Sequence, residues 1–320
     1  MLGVGSSLNQ PYYRDTFVPS DISDLIAWYD FTDATTIYTT QLGSTTVNEN
    51  DDVGAVLNKA PAKNQDQAYS RLGLRLVSKN LGGGALNGGV FKGPKDGIYF
   101  GSNQWLWNFA GIQGYESIRA GDGGEYSQTI FDTENCTIFV ALKPEDSTIS
   151  SDHGILGLKG RNNGNSAAAA MQLKRLNSNE SISYKCIWEG ASIADGNLDG
   201  SVNIGTKKQV IEIAGNDAIQ DDLIIRKHTA SGTSIINAGD LDSDSGGGKL
   251  KLDKTTPLGE AAGGSGDGDG FIVGAFLDEV GMQEGGSFKG HIMEVLIYNA
   301  VLTQSQKASV EVYLRAKHLI

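Results

Sequence analysis

Runs of lysine or arginine are missing from this sequence. Its 26 Lys and Arg are scattered among 38 Asp and Glu, for a formal net charge of -12 at pH 7. A surface that follows phosphates needs clustered cations, so nucleic-acid binding is not expected. No stretch approaches ~18 uninterrupted apolar residues, and MLGVGSSLNQPYYRD at the start has neither a basic beginning nor a signal-type apolar core. Membrane insertion and export are therefore not expected, and the chain reads as made in a cytoplasm. Cysteine is scarce, with only Cys136 and Cys186, and the four histidines are far apart. That set builds neither a disulfide framework nor a zinc site, so both cysteines are expected as buried free thiols. Signatures of catalysis are absent too: there is no GxSxG elbow, no HExxH pair and no GxxxxGK(S/T) phosphate loop.

Proline is nearly as rare as glycine is common, six residues against 43. That balance favours tight turns and close backbone approaches over a disordered tract. Between the turns lie short β-branched and aromatic runs. LIAWYD, within DISDLIAWYDFTD, reads as an early core strand with large residues on both sides. CTIFVALKP (136–144) ends at a proline, and GILGLKG follows it across a polar loop as its expected hairpin partner. ISYKCIWEG, QVIEIAG, DDLIIRKH and GFIVGAFLD repeat the pattern, and Ala167–Ala170 reads as a small-residue strand in preference to a helix start. Strands separated by turns, without helices between them, predict antiparallel sheets and an all-β sandwich. Residues 81–124 read as long loops with short strands, and residues 239–270 as a Gly/Asp-rich surface excursion. The organisation expected is an N-terminal arm over 1–20 and a single domain over 21–320.

The chain closes differently. In FKGHIMEVLIYNAVL, Ile292, Val295 and Ile297 stand among other neighbours as a strand would place them, with glycine ahead of it. Thr303 then offers an N-cap, and Gln306 sits at the capping-box spacing. Val310, Tyr313, Leu314 and Lys317 follow at i, i+3, i+4 and i+7, which predicts a helix that lays one apolar stripe, ending in a lysine stem, on the sandwich.

On these residues the closing segment resembles that of concanavalin A-like, laminin-G-like jelly-roll domains common in bacterial and phage proteins. Phe288, Gly290, Glu294, Tyr298, Asn299, Leu302, Tyr313, Leu314 and Lys317 match the pattern. DISDLIAWYDFTD resembles the opening strand of such domains, and TIFVALKP with GILGLKG their central hairpin. The resemblance implies a two-sheet antiparallel jelly roll with a short C-terminal helix and long Gly-rich loops. Superfolds host many functions, so it reports architecture more than activity.

Because glycosidases occur among such folds, paired carboxylates matter. A retaining β-glucanase projects two glutamates from one strand face at ~5 Å. In DEVGMQE (278–284), Glu279 and Glu284 fall on opposite faces of a regular strand, and Gly281 stands where an intervening acid is needed. No catalytic residue is assigned, and an enzyme is not expected. Trp105 and Trp107 lie on one side of a strand, where they stack on sugars if exposed and belong to the core if not. Asp267 and Asp269, with Asp240, Asp242 and Asp244, offer oxygens to calcium but build no complete calcium loop, and solvated acidic loops are the plainer reading. No other cofactor is expected. Tyr12, Tyr13 and Arg14 give the arm anchors for docking on a neighbour. The function implied by the resemblance is a bacteriophage virion structural protein, made in the host cytoplasm: a capsid decoration protein or tail-associated subunit docked on a major capsid or tail protein. A homo-oligomer and a surface glycan complete the expected partners. The rival expectation is a lectin-like carbohydrate-binding module.

Overall fold

The computed structural model describes residues 17–41, 45–61, 75–78, 88–101, 103–107, 129–132, 135–146, 148–162, 168–188, 196–215, 222–240, 249–252, 270–277 and 284–320. Among the described residues, two large antiparallel sheets, a two-stranded ribbon, two short 3-10 turns and one α-helix make up the fold. The first sheet runs, in spatial order, β16 (Gly232–Asp240), β15 (Asp222–Thr229), β14 (Gln209–Gly215), β9 (Thr137–Pro144), β21 (Gly290–Tyr298), β6 (Ile98–Phe100) and β5 (Val90–Phe91). Its eighth strand, β1 (Leu25–Asp30), pairs with β21.

The second sheet runs β13 (Gly196–Asp199), β12 (Ile182–Trp188), β11 (Ala168–Arg175), β10 (His153–Asn162), β18 (Gly270–Val273), β7 (Leu106–Trp107), β4 (Leu76–Ser78), β3 (Ala55–Val56) and β2 (Ile37–Tyr38). β17 (Lys249–Leu252) joins it at β10, and β8 (Thr129–Asp132) pairs with β17. A separate ribbon pairs β19 (Phe276–Leu277) with β20 (Glu284–Gly285). Helix α1 (Gln304–His318) closes the chain. The sandwich and its terminal helix are as expected, and Ala168–Arg175 is a strand.

Strand β9 shows why the central sequences are apolar at nearly every position. Ile138, Val140 and Leu142 face the inter-sheet core with Ile211, Ile213, Val295 and Ile297. Phe139 and Ala141 face the other way, into a second apolar layer with Val210, Leu296, Val310 and Leu314. Helix α1 supplies that layer. A strand covered on both faces loses the in–out alternation of a half-exposed one. Burying Val310 and Leu314, each 0% exposed, contributes about 1.5–3 kcal/mol apiece.

The helix starts where the capping box predicts. Thr303 Oγ1 accepts from Gln306 N at 3.3 Å, and Thr303 N donates to Gln306 Oε1 at 2.9 Å, which satisfies two amides left open by the first turn. A buried polar knot holds its last turns. Glu294 on β21, 0% exposed, accepts from Trp28 Nε1 (2.7 Å) and Tyr313 OH (3.1 Å) on Oε1, and from Lys317 Nζ (2.7 Å) and His318 Nε2 (2.8 Å) on Oε2. Lys317 also reaches Asp30 Oδ2 at 2.6 Å, and Lys59 joins Asp30 to Asp33. Burial alone would raise the Asp30 carboxyl, but Lys317, Thr32 and Lys59 outweigh it and hold the group down to about 2. Burial and the Glu294 charge push the Tyr313 hydroxyl far up, so it stays a donor. The acid, Tyr-Leu and lysine of the closing motif thus form one interlocked joint between sheet and helix.

Two expectations need correction. Thr137–Pro144 and the strand containing GILGLKG are not hairpin partners: β9 lies between β14 and β21 in the first sheet, while β10 pairs with β11, β17 and β18 in the second. With both edges of β9 occupied, the chain after Pro144 crosses from one sheet to the other. Phe17 and Pro19, inside the stretch expected as an arm, also pack on the domain. The Phe17 ring stands edge-on to Tyr313, with centroids 6.2 Å apart, and Tyr298 OH donates to Pro19 O at 3.3 Å. Cys136 and Cys186 are buried free thiols. No helix among the described residues is long and apolar enough to cross a membrane.

Candidate functional site

The crossing after β9 creates a cleft at one end of the sandwich. It has a volume of about 590 Å³ and is lined by Asn103, by Asp146, Thr148 to Ser151 and His153 on the crossing loop, and by Gly286, Ser287 and Lys289 ahead of β21. Hydroxyls, an amide and backbone groups dominate this lining, with Thr148, Ser150 and Ser151 exposed on the loop. A volume between ~300 and ~1,000 Å³ is usual for a small-ligand site, but an apolar lining is also usual, so this cleft suits a polar ligand.

A buried scaffold shapes the loop. Arg175 at the end of β11 is 0% exposed; its Nη1 donates to Asp146 O at 2.8 Å and its Nη2 pairs with Glu180 Oε2 at 2.7 Å. Glu180 Oε1 accepts from Ile149 N at 2.9 Å. Asn177 N donates to Asp152 Oδ1 at 3.0 Å, and Lys174 Nζ lies 3.1 Å from Asp152 Oδ2. With Asn177 Nδ2 also donating to Ser150 O at 3.4 Å, the end of β11 and the turn after it grip the crossing loop at four places through its backbone and Asp152, leaving the serine and threonine hydroxyls outside the grip.

The opposite wall is set by backbone contacts. Gly154 N donates to Gly286 O at 2.7 Å, and Gly154 and Ser287 form a parallel bridge. Gly286 packs so tightly that a Cβ there would collide with Asp152 O. Gly290 has φ +143°, where a side chain is strained, and a Cβ would strike Lys143 O. Ser287 Oγ accepts from Asn103 N at 3.1 Å, so its own O–H is left to donate.

Charge in the cleft is nearly cancelled. Lys289 Nζ sits 2.7 Å from Asp146 Oδ2, and Asp146 together with neighbouring Glu145 raises the lysine's pKa. Burial, reinforced by the Arg175 charge, lowers the His153 pKa, so its ring is neutral near pH 7, and its buried Nδ1 has no hydrogen-bond partner. At the rim, Tyr99 OH donates to Glu145, and burial plus that carboxylate push the phenol up to about 12. Among the described residues one carboxylate lines the cleft, and it is tied to lysine. Such a lining can position a ligand through hydrogen bonds, but it does not set out the two opposed carboxyl groups of glycoside hydrolysis.

The residues singled out from sequence lie elsewhere. Trp105 and Trp107 do share a side, on the outer face of the second sheet with Val77, Ile272 and Ala275, away from the inter-sheet core. They are 5% and 6% exposed, so neither ring face is open to stack on a sugar. Asp267, Asp269, Asp242 and Asp244, and the arm residues Tyr12, Tyr13 and Arg14, lie outside the described residues. Among the described residues no group of three or more His, Cys, Asp and Glu side chains could hold a metal. Sequence reading passed over most of the cleft. Its one visible signal was the hydroxyl-rich string EDSTISSDH between two apolar strands.

The fold and cleft together define a β-sandwich with a polar end-site. No protein-family model matches the chain, and no curated protein matches it. Solved structures share a partial likeness. The CBM40 domain of a Ruminococcus gnavus IT-sialidase is 13% identical at TM-score 0.37, over 56% of this chain and 84% of that one. Trypanosoma rangeli sialidase is 11% identical at TM-score 0.44, over 92% of this chain but 33% of that one. A leech intramolecular trans-sialidase gives 11% at 0.40, over 71% and 27%. All three scores are low, and these likenesses bear on neither ligand nor activity.

Proposed function

We propose that this chain is a lectin-like β-sandwich module that binds a saccharide in the cleft between Asn103, the 146–153 loop and Ser287. The observation that carries the reading is the lining itself: hydroxyl, amide and backbone groups on a loop braced from behind by Arg175 and Glu180. A sugar presents a dense set of hydroxyls that both donate and accept, and a rigid set of partners avoids the cost of ordering them on binding. Binding without hydrolysis is the reading favoured by a single, paired carboxylate. The test is a glycan array followed by calorimetry on the parent protein and on Ser287→Val with Asn103→Ala. Two hydrogen bonds at ~0.5–1.5 kcal/mol each predict about a tenfold loss or more. Unchanged affinity in the double variant, or no glycan bound by the folded parent, would refute the reading.

A second reading, the virion subunit, is favoured by one geometric observation. Pro19 lies against Tyr298 at one end of β21, whereas Lys289 and the cleft stand at the other. The nine residues of β21 separate them by ~30 Å. A subunit docked through residues 1–16 on a capsid or tail protein would hold the cleft outward, and many copies would add avidity to weak sugar contacts. Mass spectrometry of purified particles tests this; absence of the chain from them would remove it.

A further inference from the structure

This inference rests on the saccharide reading and concerns which sugars the cleft accepts. Three titratable residues line it: Asp146, His153 and Lys289. The one lysine is already 2.7 Å from the one carboxylate. Behind the lining the pattern repeats. Arg175 is paired with Glu180, with a further donor held by Asp146 O, and Lys174 is paired with Asp152. Glu145 accepts from Tyr99 and adds its charge beside the Lys289–Asp146 pair. Among the described residues of the site every cation is therefore matched, and an acid is in excess.

We propose that the cleft selects neutral saccharides and disfavours sugars bearing a carboxylate or sulfate. An anionic sugar would have to take Lys289 from Asp146, leaving that carboxylate and Glu145 to face a second negative charge. Uncharged hydroxyls meet no such competition, because Ser287, Asn103, Thr148, Ser150 and Ser151 can donate or accept without breaking an ion pair. Binding held by neutral hydrogen bonds is also insensitive to salt, whereas binding through an ion pair is screened.

The experiment is calorimetry with matched pairs, lactose against 3′-sialyllactose and a neutral against a sulfated oligosaccharide, at low and high salt. The parent protein is compared with Asp146→Asn, which frees Lys289 and leaves the Asp146 carbonyl held by Arg175. The expected result is a preference of at least tenfold for the neutral member at low salt, with neutral binding unmoved by salt and the preference narrowing as salt screens the repulsion, and a ratio that narrows at least tenfold in Asp146→Asn with no change in melting temperature. Equal or tighter binding of the anionic member by the parent would overturn the inference while leaving the saccharide reading standing. A ratio unmoved by Asp146→Asn would overturn the charge-pair explanation. No binding of either class by folded protein would sink the saccharide reading itself.

Discussion

Replacing Glu294 by glutamine should unfasten the C-terminal helix. The carboxylate is fully buried and accepts from Trp28, Tyr313, Lys317 and His318. An amide of the same shape keeps one acceptor and turns an NH2 group towards donors. Taking one partner from a buried ion pair costs roughly 3–5 kcal/mol, because the remaining charge stays buried and uncompensated. Lys317 still holds Asp30 at 2.6 Å, which places the cost near the lower end, about 3 kcal/mol. At about 2 °C per kcal/mol for a chain of this size, the melting temperature should fall by about 6 °C. Urea titration monitored by far-ultraviolet circular dichroism, with a thermal melt beside it, gives both quantities. Lys208→Gln, which breaks a surface pair with Asp96, serves as the control and should stay within about 0.5 kcal/mol of the parent. If Glu294→Gln also stays within that margin, the knot does not anchor the helix and the reasoning fails.

Acid should attack the same joint. Asp30 titrates at about 2 in the fold against 3.8 unperturbed, so the unfolded chain takes up the proton first as pH falls. The group's contribution is fully present above about pH 4 and is lost between about pH 4 and 2, roughly 2 kcal/mol in all. Asp30→Asn should flatten that part of a stability–pH curve, and an unchanged slope would count against it. Gly286→Ala should displace the crossing loop through its clash with Asp152 O, costing about 1–3 kcal/mol in denaturant titration and most of the cleft's glycan affinity. Deleting residues 1–16, but not Phe17, should leave the melting temperature within about 2 °C while abolishing incorporation into particles, because the contact of Phe17 with Tyr313 is kept. Retained incorporation would exclude docking through the arm.

Most of the fold was legible because two-sided burial and capping leave local marks. Leu25–Asp30, Gln209–Gly215 and Gly290–Tyr298 read as strands from their own residues, and Thr303 with Gln306 fixed the helix start. The cleft was not legible for a physical reason. Its walls come from residues 103, 146, 148–151, 153, 286, 287 and 289, and what joins them is the passage of the chain between sheets after Pro144. Taking β9 and β10 as a hairpin turned that passage into an ordinary turn and hid the site. The tryptophans were legible in part. Alternation correctly put Trp105 and Trp107 on one face, but spacing carries no information about what covers that face.

The central claim is that the hydroxyl-lined cleft is where a sugar sits. A crystal structure of the protein soaked with a neutral oligosaccharide that it binds tests this most directly. The account predicts density hydrogen-bonded to Ser287 and Asn103, against the loop hydroxyls of Thr148, Ser150 and Ser151. Sugar seated on the Trp105 face, or on the acidic loop around Asp267 and Asp269, with the cleft filled by water alone, would contradict it.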